Sequence, residues 1–276
     1  MGEETRGGSE PMEDQEYAVP IYRHEARERE FEFAIGDEEN IEAITSHFEK
    51  HVGPVGNVFH ELISDLVHVD VHVIDPTEER PFYTLFTTGM SDRPMTVPDP
   101  AAEPYRYAEL VLCLPRDWPV SEAFKTASTG EENRFYWPIR WMRALARFPH
   151  EFETWLFAGH TVPNGDPPSG FAIGTDLCCW WLAPPYGVPD EFSPLTVAPG
   201  KDVYFFNMVP IYADEMVEKL KKGEEGMLRY LEEARIPPDA LFVLDPNGQN
   251  DRFRRARCRF VSSTNRASGG IRASSR

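Results

Sequence analysis

The segment SDLVHVDVHVI, residues 64–74, narrows the folding options of this chain more than any other. Val67, Val69, Val71 and Val73 alternate with His68, Asp70 and His72. Period-two alternation of β-branched residues specifies a strand with one face in a core. A strand over 66–74 is therefore expected, its valines turned inward and His68, Asp70 and His72 in one row on the other face. Two imidazoles flanking a carboxylate suit a metal site, a proton-transfer site or a polar face that contacts something else, and the residue types alone do not choose among these.

The flanking sequence reads as alternating elements. Asp37 is placed to cap a helix whose apolar stripe is Ile41, Ile44 and Phe48 and which Gly53-Pro54 stops. YTLFTTGMSDRPM, residues 83–95, reads as a second strand running into a loop and pairing with the first as a hairpin. YRYAELVLCLP, residues 105–115, has an unbroken apolar centre, the mark of a buried central strand, ended by Pro115 and Pro119. Trp137-Pro138 opens a second helix with Trp141, Leu145 and Phe148 on one side. Its Arg140, Arg143 and Arg147 are expected on a solvated face or against the acidic body. Further strands are expected within 171–185 and 203–212, two short helices at 213–222 and 226–235 around Gly223, and a last strand at 241–246. Strands and helices mix without a βαβ rhythm, so the fold class is α+β: a mixed, mainly antiparallel sheet packed with helices in a single domain. Residues 1–20 read as a disordered acidic leader, 21–250 as the domain, and 251–276 as an arginine-rich disordered tail.

Charge is divided unevenly along the chain. Residues 251–276 hold eight arginines and one acid, so of the net −18 the first 250 residues carry −25. Such a body repels nucleic acid and anionic membranes and steers toward basic partners. The N-terminus has no apolar stretch of signal-peptide type, and no apolar run reaches membrane-spanning length. Cys113, Cys178, Cys179 and Cys258 have no disulfide or zinc spacing; three lie in apolar or strand-like contexts, and free buried thiols of a reducing cytosol are expected.

Catalytic signals are weak. His60, Asp92 or His160 could complete a metal site on the His68, Asp70, His72 row, yet no recognised zinc spacing occurs. Ser64 and Ser91 each precede an aspartate but lie in no nucleophile elbow, and both are expected to bond backbone in turns. Apolar neighbours should raise the Cys178 thiol out of the reactive range. Asp92-Arg93-Pro94 is expected to fix a loop by ion pairing and hydrogen bonds. The six tryptophans are read mostly as core.

SDLVHVDVHVI, YTLFTTGMSDRPM, YRYAELVLCLP and FPHEFETWLFAGHTVPNG occur in that order, and over about residues 40–250 the chain resembles the Suppressor-of-fused domain family. The resemblance implies an α+β domain like the N-terminal lobe of the animal hedgehog-pathway regulator. That regulator is no enzyme and captures a transcription-factor peptide as a strand between two lobes. Single-lobe bacterial relatives look like immunity proteins that neutralise a cognate toxin. The resemblance thus implies a non-enzymatic protein-binding domain without cofactor, and the cysteine usage and the N-terminus a cytoplasmic one. Its partner would be a protein, a basic toxin, and not nucleic acid or membrane. The shared surface would comprise His68, Asp70, His72, Gly89, Met90, Ser91, Asp92, Arg93, His160 and Asn164, none of them catalytic. Two other readings stay open: a peptide-binding regulator acting by strand addition, and a metal-dependent hydrolase centred on His68, Asp70 and His72.

Overall fold

The computed structural model describes residues 19–25, 28–129, 135–233 and 242–244. The leader, apart from Val19 and Pro20, and the arginine-rich tail lie outside the described residues. Helix α1 spans Glu38–His51. Asp37 caps it as its sequence position requires, its carboxylate accepting from the backbone N–H groups of Glu39 and Asn40. Strands β1 (Val55–Phe59), β2 (Asp70–Ile74), β3 (Phe82–Thr88) and β4 (Tyr107–Pro115) follow. Then come helices α2 (Val120–Thr129) and α3 (Trp137–Glu151), strands β5 (Thr161–Pro163), β6 (Cys179–Ala183), β7 (Leu195–Ala198) and β8 (Lys201–Ile211), and helix α4 (Ala213–Glu233).

All eight strands join one sheet in the order β1-β2-β3-β4-β8-β6-β5, with β7 also paired to β8. Every pairing is antiparallel except β4 with β8, where Tyr107 faces Val203 and Val111 faces Asn207 in parallel. The sheet is thus mixed and mainly antiparallel, as expected. Helices cover both faces. Val71 and Val73 of β2, Leu110 and Leu112 of β4 and Trp180 of β6 pack with Ala123 of α2 and with Met142 and Leu145 of α3. On the other face Ile44 and Phe48 of α1 pack on Ile74, Phe86, Val111 and Phe205, and Met216 and Leu220 of α4 pack on Trp181, Val209 and Ile211. Burial on both sides explains why β4 reads as an almost continuous apolar run. No helix among the described residues is long and apolar enough to cross a membrane.

Several expectations need correction. The strand at 66–74 begins only at Asp70, because Leu66 adopts a left-handed φ of 66° that no ladder accommodates. Its polar face is covered by another element, α1, and His72 is 4% exposed. Helix α2, edge strands β1 and β5 and strand β7 carry too little periodicity to be read beforehand. The two helices expected around Gly223 are present: α4 is broken there, Gly223 being non-helical at φ 72° and ψ −170°. Within 242–244 the expected last strand contributes a single bridge, Val243 beside Cys113, with Leu244 N–H donating to the Cys113 carbonyl at 2.8 Å. Of the arginine row on α3, Arg140 is exposed, whereas Arg143 donates to the Phe59 carbonyl and the Tyr136 hydroxyl, and Arg147 pairs with Glu61. Cys113, Cys178 and Cys179 are free and buried, and burial pushes the Cys178 thiol up to about 11.

Phe86 is held between two rings, Phe48 of α1 at a centroid distance of 3.8 Å and His72 of β2 at 4.8 Å, both nearly parallel to it. Removing Phe48 strips one side of this stack. Phe48→Ala should cost about 3–5 kcal/mol in urea unfolding, whereas Phe33→Ala, at a position 64% exposed, should change stability by no more than about 0.5 kcal/mol.

Candidate functional site

The site grows from the turn after β3. Gly89 has φ 100°, and a Cβ built there would lie 1.7 Å from the carbonyl oxygen of His68. The chain therefore passes against the backbone that leads into β2, a crossing only glycine permits. Met90–Asp92 form a short 3-10 turn, with Met90 and Ser91 fully buried. Beneath it lies Glu109 of β4, also fully buried. Its carboxylate accepts from the Ser91 N–H at 2.9 Å, the Ser91 hydroxyl at 2.6 Å and the Thr87 hydroxyl at 2.6 Å. Both hydroxyls are oriented by further donors, Asn40 Nδ2 to Ser91 Oγ and Leu110 N–H to Thr87 Oγ1, each at 2.9 Å. Burial pushes the Glu109 carboxyl up to about 7 against the pull of these donors.

The same turn is tied to α1 and to the segment before it. Asp92 accepts from Asn40 Nδ2 at 2.7 Å and from the Asp37 N–H at 3.0 Å, and burial raises its carboxyl above the usual range. Arg93 pairs with Glu32, and that guanidinium holds the Glu32 carboxyl below its ordinary value. Asp92 and Arg93 therefore fix the loop through separate partners on the 32–40 segment. Met90 is anchored from α3, its carbonyl accepting from His150 Nε2 at 2.9 Å.

Beside the turn lies a second polar cluster. Asp70 accepts from the Glu61 N–H at 2.9 Å and sits 2.8 Å from His60 Nδ1 and 3.2 Å from His68 Nε2. His68 Nδ1 lies 2.7 Å from Ser64 Oγ, whose hydroxyl donates to Glu61 Oε2 at 2.7 Å. A serine, a histidine and an aspartate thus stand in line. The serine proton, however, is directed at Glu61, a carboxylate already held by Arg147, and Ser64 is 1% exposed. The line braces the 60–70 loop. His72 lies apart from it, stacked on Phe86 with Nε2 3.0 Å from Thr88 Oγ1. Asp70 and His72 share one face of β2 as alternation expects, while His68 lies before the strand and meets Asp70 at 3.2 Å. Among the described residues no group of three His, Cys, Asp or Glu side chains could hold a metal ion.

His68, Asp70, Gly89, Met90, Ser91, Asp92 and Arg93 are thus brought together at one end of the sheet. His160 and Asn164 are not. They adjoin β5, five strand positions from β2, about 24 Å at normal strand spacing. There Asn164 Nδ2 donates to the carbonyls of Ser169 and Gly170, closing its own loop, and His160 meets Trp155 edge-on while burial lowers its pKa.

Sequence reasoning missed an apolar cleft of about 280 Å³ lined by Phe33, Ile35, Leu62, Ser64 and His68, among others. Phe33 is 64%, Ile35 80% and Leu62 91% exposed, and Phe31 and Ile63 beside them are exposed as well. The strand-like segment 31–36 is held by Ala34 N–H to the Ser64 carbonyl and Leu66 N–H to the Glu32 carbonyl. Around it, residues 28–42 carry seven exposed acids against one basic residue, Arg29, which is bound to Asp65. The alternation EFEFAI was the available signal, hidden in a block whose charge density marks it only as surface.

A mixed sheet covered by helices on both faces, with turns pinned by buried polar groups and an acid-rimmed apolar cleft, defines an α+β domain with features of a recognition module. The family model for Suppressor of fused protein (SUFU) matches residues 65–247, and the chain belongs to that family. A SUFU homolog from Neisseria gonorrhoeae is 15% identical with a TM-score of 0.47, over 76% of this chain and 93% of that one. The structure of a Sufu–Fu complex gives 14% identity and a TM-score of 0.52, over 76% of this chain and 91% of that one. Drosophila Suppressor of Fused gives 12% and 0.49, over 82% of this chain and 54% of its own. No curated protein matches the chain.

Two outcomes follow from this geometry. Gly89→Ala adds a methyl where the His68 carbonyl stands and strains a positive φ, so it should lower stability by about 2–3 kcal/mol in urea unfolding. Burial lowers the His72 pKa to about 4 from an ordinary 6.5. The unfolded chain therefore binds a proton that the folded one refuses, and stability falls as pH drops from 6.5 toward 4. The wild type should lose about 2 kcal/mol more than His72→Phe between pH 7.5 and 5, read as urea midpoints at each pH.

Proposed function

We propose that this chain is a non-enzymatic protein-binding domain that captures a basic protein, acting as an immunity protein that neutralises a cognate toxin by occlusion. The observation that carries the reading is the cleft described above, exposed apolar side chains framed by the acids of residues 28–42. Acids around an apolar centre steer a cationic partner and reject polyanions, while the centre supplies area for contact. Family membership and the relative solved as a Sufu–Fu complex support a binding role. The reading places the partner against the 28–42 rim and the turn carrying Asp92 and Arg93. His160 and Asn164, at the far end of the sheet, would serve a separate contact.

Capture from the cells of origin on immobilised full chain tests this. A partner should be retained at about 0.05 M salt and released near 0.5 M. Glu30→Lys, Glu39→Lys and Glu42→Lys together should lower its retention about tenfold or more. A partner whose retention ignores both salt and these substitutions fits strand addition at a sheet edge instead, and it would overturn the electrostatic reading.

A further inference from the structure

The chain itself carries a segment of the chemistry this cleft fits. Residues 252–261 read RFRRARCRFV: five arginines interleaved with Phe253, Ala256, Cys258, Phe260 and Val261. Arginines would meet the acids of the rim while the phenylalanines cover Phe33, Ile35 and Leu62. Elsewhere the body is acidic, but the described residues place this much exposed apolar side chain beside clustered acid only here.

The connection is long enough. Leu244 is bonded to Cys113 of β4, Cys113 stands opposite Thr84 of β3, and Thr84 opposite Ile74 of β2. Three strand steps across the sheet and the length from Ile74 back to His68 put the cleft about 25 Å from Leu244. Eight residues, 245–252, can reach at most about 26–29 Å.

We propose that residues 252–261 dock into the Phe33, Ile35, Leu62 cleft of their own chain and occupy it until a basic partner displaces them. The tether keeps the segment at high local concentration, so the cleft is covered in the free protein and opens only to a tighter competitor. This inference deepens the proposed function and rests on its premise that the face takes basic protein.

Cys258 supplies the test in the full chain, because Cys113, Cys178 and Cys179 are buried. Leu62→Cys places a thiol on the cleft at an exposed position. Ile173→Cys places one at a position fully exposed and at the far end of the sheet. Under mild oxidation the Leu62→Cys protein should close an intramolecular disulfide with Cys258 about tenfold faster than the Ile173→Cys protein. Adding synthetic peptide 251–276 with Cys258→Ser should slow it. Equal rates in the two variants, no effect of the peptide, or a disulfide joining two chains would each overturn the proposal. Partner capture is measured separately. A salt-released partner with equal disulfide rates defeats the docked segment alone, and a fast disulfide with no partner captured defeats the proposed function alone.

Discussion

A single buried carboxylate organises the end of the sheet where the candidate surface lies. Glu109 stands on the central strand β4 and gathers three donors, two from Ser91 and one from Thr87. Hydrogen bonds to a charged acceptor are worth about 1.5–3 kcal/mol each, and orphaning the donors would cost a comparable amount. Through Ser91 the same group reaches Asn40 of α1, which also holds Asp92. Helix, turn and two strands are thus fixed relative to one another by a polar cluster within an otherwise apolar layer. The turn lies against residue 68, so the position of the 60–70 loop depends on it as well. A surface assembled from loops acquires in this way the stiffness of the sheet beneath it.

What the sequence made legible was the part of the fold set by local chemistry. Asp37 capping α1, the apolar run of β4 and the β2–β3 hairpin each depend on a few adjacent residues, and each is present. What it hid depends on tertiary neighbours. The alternation of valine with histidine reads equally as a half-solvated strand or as one covered on both sides, and only α1 packing on Phe86 decides between them. Arg143 and Arg147 follow helical spacing onto a surface, but the surface is occupied by Phe59 and Glu61. Glu109 sits in a strand otherwise apolar, and nothing in its sequence neighbourhood names Thr87 and Ser91 as its partners. The grouping of His68 with Asp92 and Arg93 was recoverable from motif order, and the distance of His160 and Asn164 from them was not, because it follows from strand order.

The division of charge matches the division of labour in the fold. Acids inside the structure, Glu61, Asp70, Asp92 and Glu109, are fully engaged by backbone and side-chain donors or by cations. Acids outside, concentrated before and along the first turns of α1, have few such partners and set the field that an approaching protein meets first. Apolar residues between them lie on a segment pinned by only a few backbone hydrogen bonds to the 64–66 loop, so this face combines little local rigidity with a floor, Ser64 and His68, that is braced.

The parallel pairing at the centre of the sheet has a consequence for how the chain is made. Tyr107 meets Val203 and Val111 meets Asn207, partners 96 residues apart. During synthesis β1 to β4 can assemble as a meander of neighbours long before β8 leaves the ribosome. Through that interval the edge of β4 that β8 will cover, Tyr107–Val111, is a bare ladder open to any passing strand. Biogenesis of this protein is therefore governed by how that edge is shielded until its distant mate arrives, and chaperone supply should set its soluble yield more than its final stability does.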